Sequence, residues 1–122
     1  MVYYSDYGTE ALKIAPDFED IDVTDAQKRL LVGALGVCGE SGEVAEMVKK
    51  HVFHGHPFNA ASVEKLVKEL GDVIWYVNYL AERCAGVDIG NVMHANVKKL
   101  RARYPEGSFS TDRSLHRAEG DV

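Results

Sequence analysis

Residues 24–52 read TDAQKRLLVGALGVCGESGEVAEMVKKHV, and the fold turns on whether this run is one helix. Thr24 and Gln27 have the form of a capping box, in which a threonine hydroxyl and a side chain three residues on satisfy amides left free at a helix start. From there Leu30, Ala34, Val37, Cys38, Ser41, Val44, Ala45, Val48 and Val52 return at helical spacing as one mostly apolar arc, the expected core face. The spacing predicts a helix to about Val52, before HGHP at 54–57 breaks it. Gly33, Gly36, Gly39 and Gly42 each cost such a helix roughly 0.5–1 kcal/mol relative to alanine. Some of them are therefore expected at close helix contacts or a kink.

The rest of the chain reads the same way. A short capped helix is expected from Ser5 to a stop at Pro16, followed by the loop DFEDIDV at 17–23. A third helix is expected from about Ser62 to Cys84, and a fourth, beyond Gly86, from near Asp88 to Tyr104-Pro105. No β-like alternation persists, and nothing repeats apart from a pair of acidic motifs. The stretch EGSFSTDRSLHRAEGDV at the end is polar and expected to be irregular. A chain of 122 residues with 46% apolar content fits a single all-α domain, with its core at about 24–104 and a tail at 105–122.

Charge and cysteine usage exclude several classes. A net charge of −5 argues against nucleic acid as a partner, which would call for a basic face. No apolar run is long enough to span a membrane, and no signal peptide is evident. Cys38 and Cys84 fall on apolar stretches without C-x-x-C spacing, so a reduced, cytoplasmic protein with both thiols in or near the core is expected.

The acidic motifs carry the chemistry. On a helical wheel Glu40 and Glu43 lie roughly 60° and 120° to one side of Val37, whereas Glu46 falls away from the core and is expected to be solvated. Leu66, Leu70, Val73, Val77, Leu80, Ala81 and Cys84 form the arc of the third helix, and Glu69 and Asp72 flank it on the same side. Antiparallel packing, favoured by a short connection, would bring the four carboxylates together. Four anions at close range repel, and a hard divalent cation removes the repulsion. Oxygen-only ligation points to Mg²⁺, with Mn²⁺ as the alternative, while His51, His54 and His56 have no spacing typical of zinc. An E-x-x-E pair is also the pattern of an ordinary solvated face, and two such pairs leave both readings standing.

GESGEVAEMVKKHVFHG, then KELGDVIWYVNYLA, then NVKKLRARYPEG resemble the MazG-type nucleotide pyrophosphohydrolases of the all-α NTP pyrophosphatase superfamily, in order through about residues 27–117. The family pattern, E-x-x-E followed after a gap by E-x-x-D, is met by Glu40, Glu43, Glu69 and Asp72. The resemblance implies an all-α, four-helix-type bundle that forms homodimers or homotetramers. It also implies a Mg²⁺-dependent enzyme that cleaves a nucleoside or deoxynucleoside triphosphate to the monophosphate and pyrophosphate, in the family's role of nucleotide house-cleaning. Glu40, Glu43, Glu69 and Asp72 would hold metal, with a glutamate of the first pair, Glu40 or Glu43, as general base. Narrower specificity for dUTP, dCTP or phosphoribosyl-ATP, and a non-catalytic helical interaction module, are the alternatives.

Substrate contacts follow in part from the resemblance. Asn96, Lys99 and Arg103 share one face of the fourth helix, and the first two match active-site positions of the family. Arg103 reads equally well as a solvated basic helix end. Lys50, on the carboxylate flank, is expected to meet substrate or pair with Glu43. Tyr76 resembles a family tyrosine that reaches phosphate. Trp75 lies opposite its core arc, which favours burial against another subunit, with nucleobase stacking as the alternative. Phe53 and Phe58 are candidates for base contacts or for anchoring the loop. FSTDRSLHR resembles the C-terminal extension of small, partly phage-associated relatives, from which Arg113 or Arg117 would reach a neighbouring subunit's site.

Overall fold

The computed structural model describes residues 4–16 and 21–117. Part of the loop expected at 17–23, and the last five residues of the tail, lie outside the described residues. Helix α1 (Tyr4–Leu12) closes in a turn, with Ile14 N–H donating to Ala11 O and Ala15 N–H to Leu12 O, ahead of Pro16.

Helix α2 (Asp25–His54) opens with the capping box: Gln27 N–H donates to Thr24 Oγ1 at 3.2 Å, and Thr24 N–H to Gln27 Oε1 at 2.8 Å. It ends where Gly55 takes a left-handed conformation, φ 69°, and His56 N–H turns back to Lys50 O at 3.2 Å. Asn59 then caps α3 (Ala60–Tyr79), its side chain accepting from Ser62 N–H. The helical path continues to Ala85 as expected, but Leu80–Ala85 is π-helical. Gly86, φ 66°, stops it, and Asp88 caps α4 (Ile89–Arg103) through Gly90 N–H. The tail departs from the expectation of irregularity: α5 (Thr111–Leu115) is capped by Ser110, and Arg113 pairs with Glu106 at 3.0 Å. No strand occurs among the described residues, and no helix is long and apolar enough to cross a membrane.

The short Gly55–Asn59 connection makes α2 and α3 an antiparallel hairpin, and that hairpin holds most of the packing. Its seam runs through glycine. A Cβ at Gly33 would collide with the Leu80 side chain, and one at Gly36 with the ring of Tyr76. The close approach explains why Gly33 and Ala81 are buried. The less exposed strip of α2 runs through Gly33, Gly36, Val37, Glu40, Val44 and Met47, and Gly33, Gly36 and Glu40 of it meet the opposite helix.

This corrects the expected core arc. Leu30, Ala34, Cys38, Ser41, Ala45, Val48 and Val52 are exposed in the single chain, because α3 approaches over the glycine strip beside them. Cys38 is accordingly exposed and Cys84 half-buried, and both are free thiols. Helix α4 meets the rest mainly at the π-helical segment. One chain thus supplies a two-helix hairpin extended by α4.

Candidate metal centre

Antiparallel pairing sets the middle of α2 against the middle of α3, where the acidic motifs lie. One carboxylate oxygen each from Glu40, Glu69 and Asp72 lies within 4.8 Å of the others. Glu40 and Glu69 are half-buried and Asp72 is exposed, so the group sits at the lip of the hairpin seam. Oxygens on opposite sides of one bound ion stand about 4.2 Å apart for Mg²⁺ and about 4.8 Å for Ca²⁺, twice the metal–oxygen distance. The three side chains therefore need little movement to share a cation.

None of the three has an ion-pair partner among the described residues. Three anions brought together without a protein cation repel one another, and a divalent ion offsets that cost. The donor set is all oxygen, which suits a hard ion.

Glu43 does not join the group. It lies one turn beyond Glu40 and is exposed, on the outer side of the strip that faces α3. Glu46 is half-buried and answers two lysines, accepting from Lys49 and pairing with Lys50 at 3.4 Å. The Lys49 hydrogen bond, with the charge of both lysines behind it, holds the Glu46 carboxyl below its ordinary range. Lys50 thus pairs with Glu46 and not with Glu43, because the i,i+4 step from Glu46 places the ammonium there.

Tyr76 follows Asp72 by one turn, half-buried, its ring laid over Gly36 and edge-on to Trp75 at 4.8 Å. Trp75 stacks on Tyr79, 5.6 Å between centroids and 16° between planes, and remains 58% exposed. Asn96, Lys99 and Arg103 share a face of α4, whose main contact is the π-helical segment. Val92, on the turn before Asn96, lines a groove with Val37 and Val77 of the hairpin.

At the turn end of the hairpin, Met47, Lys50, His51, Phe58, Ser62 and Lys65 line much of a pocket of about 440 Å³. Lys65 and Ser62 are not singled out by the sequence reading. Their signal is the i−4 and i−7 spacing from Glu69, which sets them on the acidic flank of α3.

A family model described as the MazG nucleotide pyrophosphohydrolase domain matches residues 15–108. The Gene 37 protein of Mycobacterium phage L5 is 34% identical over 84 residues, 68% of this chain and 73% of the phage protein. No solved structure matches. An all-helical hairpin that brings Glu40, Glu69 and Asp72 together, the chain belongs to the MazG nucleotide pyrophosphohydrolase domain family.

Proposed function

We propose that the protein is a Mg²⁺-dependent nucleoside triphosphate pyrophosphohydrolase, adding water across the α–β phosphoanhydride to release a nucleoside or deoxynucleoside monophosphate and pyrophosphate. The observation that carries this reading is the convergence of Glu40, Glu69 and Asp72 in a family of nucleotide pyrophosphohydrolases. Bound Mg²⁺, or Mn²⁺ in its place, supplies neutralisation of phosphate charge and a water of lowered pKa.

The chain's own groups have separate tasks. Glu40, Glu69 and Asp72 hold the cation. Glu43, one turn away and outside their cluster, joins the ligands when substrate is present or takes the proton of the attacking water. Tyr76, one turn past Asp72, and Lys50, two turns past Glu43, serve the substrate. Asn96, Lys99 and Arg103 provide phosphate contacts from α4, and reach the carboxylates through assembly.

That assembly is a homodimer or homotetramer in the cytoplasm. Two apolar grooves support it: one of about 380 Å³ on α2 along Val23, Leu30, Leu31 and Ala34, and one of about 430 Å³ between the hairpin and α4 along Val37, Val77, Leu80 and Val92. Both include Ala34, so they form a continuous apolar surface.

The test is a panel of nucleoside and deoxynucleoside triphosphates in Mg²⁺, with pyrophosphate and orthophosphate measured separately. Pyrophosphate equal to the monophosphate formed is expected, and Glu43→Gln and Asp72→Asn each abolish it while the helical circular dichroism stays. Orthophosphate without pyrophosphate, or wild-type turnover in Asp72→Asn, would overturn the assignment.

A further inference from the structure

We propose that the pocket at the α2–α3 turn receives the base of the nucleotide whose phosphates sit at Glu40, Glu69 and Asp72, which makes Phe58 and His51 specificity-determining residues; this rests on the pyrophosphohydrolase reading above. Two strips of side chains lead from the carboxylates to that pocket. Along α2 the steps Glu43, Met47, Lys50 are of four and three residues; along α3, in the opposite direction, the steps Glu69, Lys65, Ser62 are also of four and three. Because the helices are antiparallel, both strips arrive at the turn on one flank of the hairpin. Along the helix axes Lys65 lies about 6 Å and Ser62 about 10 Å from Glu69, and Met47 about 10 Å from Glu40. A nucleotide with its α-phosphate at the carboxylates and its base in the pocket spans that interval.

The lining suits a base better than a phosphate tail. Phe58 and His51 present rings 5.4 Å apart and tilted by 50°, and Met47 and Pro57 add apolar surface. The charge of Lys50 is already answered by Glu46, and Lys65, one turn from Glu69, stands at the carboxylate side of the pocket, where the phosphate next to the sugar would lie. A volume of about 440 Å³ lies within the usual range of small-molecule sites and accommodates a base with its sugar.

The loop is tied in place before any ligand arrives. Ser62 Oγ donates to Pro57 O at 2.8 Å, Asn59 caps α3, and His51 Nδ1 lies 2.8 Å from His56 O. A carbonyl only accepts, so Nδ1 carries the proton and donates. In the neutral ring Nε2 is then left as an acceptor, matched to an imide N–H or exocyclic amine on the base edge.

The experiment titrates nucleoside monophosphates and inorganic triphosphate separately into isotope-labelled protein in Mg²⁺, following the resonances of Phe58 and His51, and then measures turnover. Monophosphates are expected to shift both residues, and inorganic triphosphate neither. Phe58→Ala should weaken monophosphate binding, and raise KM, by about tenfold or more, the usual effect of losing a stacking ring. It should leave kcat and inhibition by inorganic triphosphate as they are, and Phe58→Tyr should restore KM. Unchanged KM in Phe58→Ala, or equal loss of monophosphate and triphosphate binding, overturns the base pocket while the pyrophosphohydrolase reading stands. Base-dependent shifts in a protein that releases no pyrophosphate would uphold the pocket and sink the activity instead.

Discussion

Gly36 and Gly39 are three residues apart on one helix and stand in opposite environments. The Tyr76 ring occupies the space a side chain at Gly36 would need, down to the ring carbon nearest the backbone, whereas nothing lies near Gly39. A ring held at its root cannot swing aside, so Gly36→Ala should force α2 and α3 apart and destabilise by about 1–3 kcal/mol, as overpacking does. Gly39→Ala should stabilise the hairpin itself by roughly 0.5–1 kcal/mol, since it meets no other part of its own chain, restricts the unfolded state and improves helix propensity. Urea unfolding of both variants checks the pair, and equal effects of the same sign would contradict the seam described above. The sequence announces an expensive run of glycines but does not say which two are the seam. That depends on Leu80 and Tyr76, more than 35 positions away. The local signals at this scale were legible: the Thr24–Gln27 box forms as its spacing predicts, and Glu40, Glu69 and Asp72 meet as theirs does.

At the level of helices, sequence periodicity finds apolar surface but not what covers it. The arc from Leu30 to Val52 is a sound helical stripe, yet α3 sits beside it, over Gly33 and Gly36. A wheel treats both faces alike when one is apolar and the other is small, because close approach over glycine is a packing gain that hydropathy does not register. The same limit explains Glu43: a flank position within one turn of Glu40 can face the partner helix or miss it, and it misses. Helix α5 went unseen because five residues held by a single serine cap carry too little pattern to register. If Glu40, Glu69 and Asp72 hold a cation as proposed, its binding is linked to the packing of the two helices. Mg²⁺ at about ten times its dissociation constant should add about 1.4 kcal/mol to the stability of the chain, a rise of several degrees in Tm. Asp72→Asn should remove most of that response while leaving the metal-free Tm near or above wild type, because it also removes repulsion. Melting curves with and without Mg²⁺ read both effects, and a plain helical hairpin would show neither.

For the molecule as a whole, surface area is the governing quantity. A folded monomer of 13.5 kDa is expected to expose roughly 6,500 Å², against 10158 Å² here, an excess of about 3,600 Å². Much of the exposed side-chain surface is apolar: Leu35 is 68% exposed and Phe53 77%, with Leu30, Leu31, Val48 and Val52 half or more uncovered along the same helix. A standard interface covers about 800 Å² per partner and obligate dimers roughly 1,000–2,500 Å². In the proposed oligomer, an excess larger than one standard contact would be covered by an interlaced dimer or by two interfaces per chain. Such packing in the proposed assembly would also bring α4, with Asn96 and Lys99, over a set of carboxylates. The outer face of α2 is then the place to break the assembly. Leu31→Glu with Leu35→Glu puts two charges into that apolar surface, far from Glu40 on the wheel and out of contact with α3. Sedimentation of the wild type should give a mass of two or four chains at micromolar concentration, and the double variant a smaller species that melts earlier and loses pyrophosphate release although Glu40, Glu69 and Asp72 are intact. A wild type that sediments as a 13.5 kDa monomer and still melts cooperatively would mean that this chain tolerates its exposed arc, and the proposed delivery of α4 through assembly would fall.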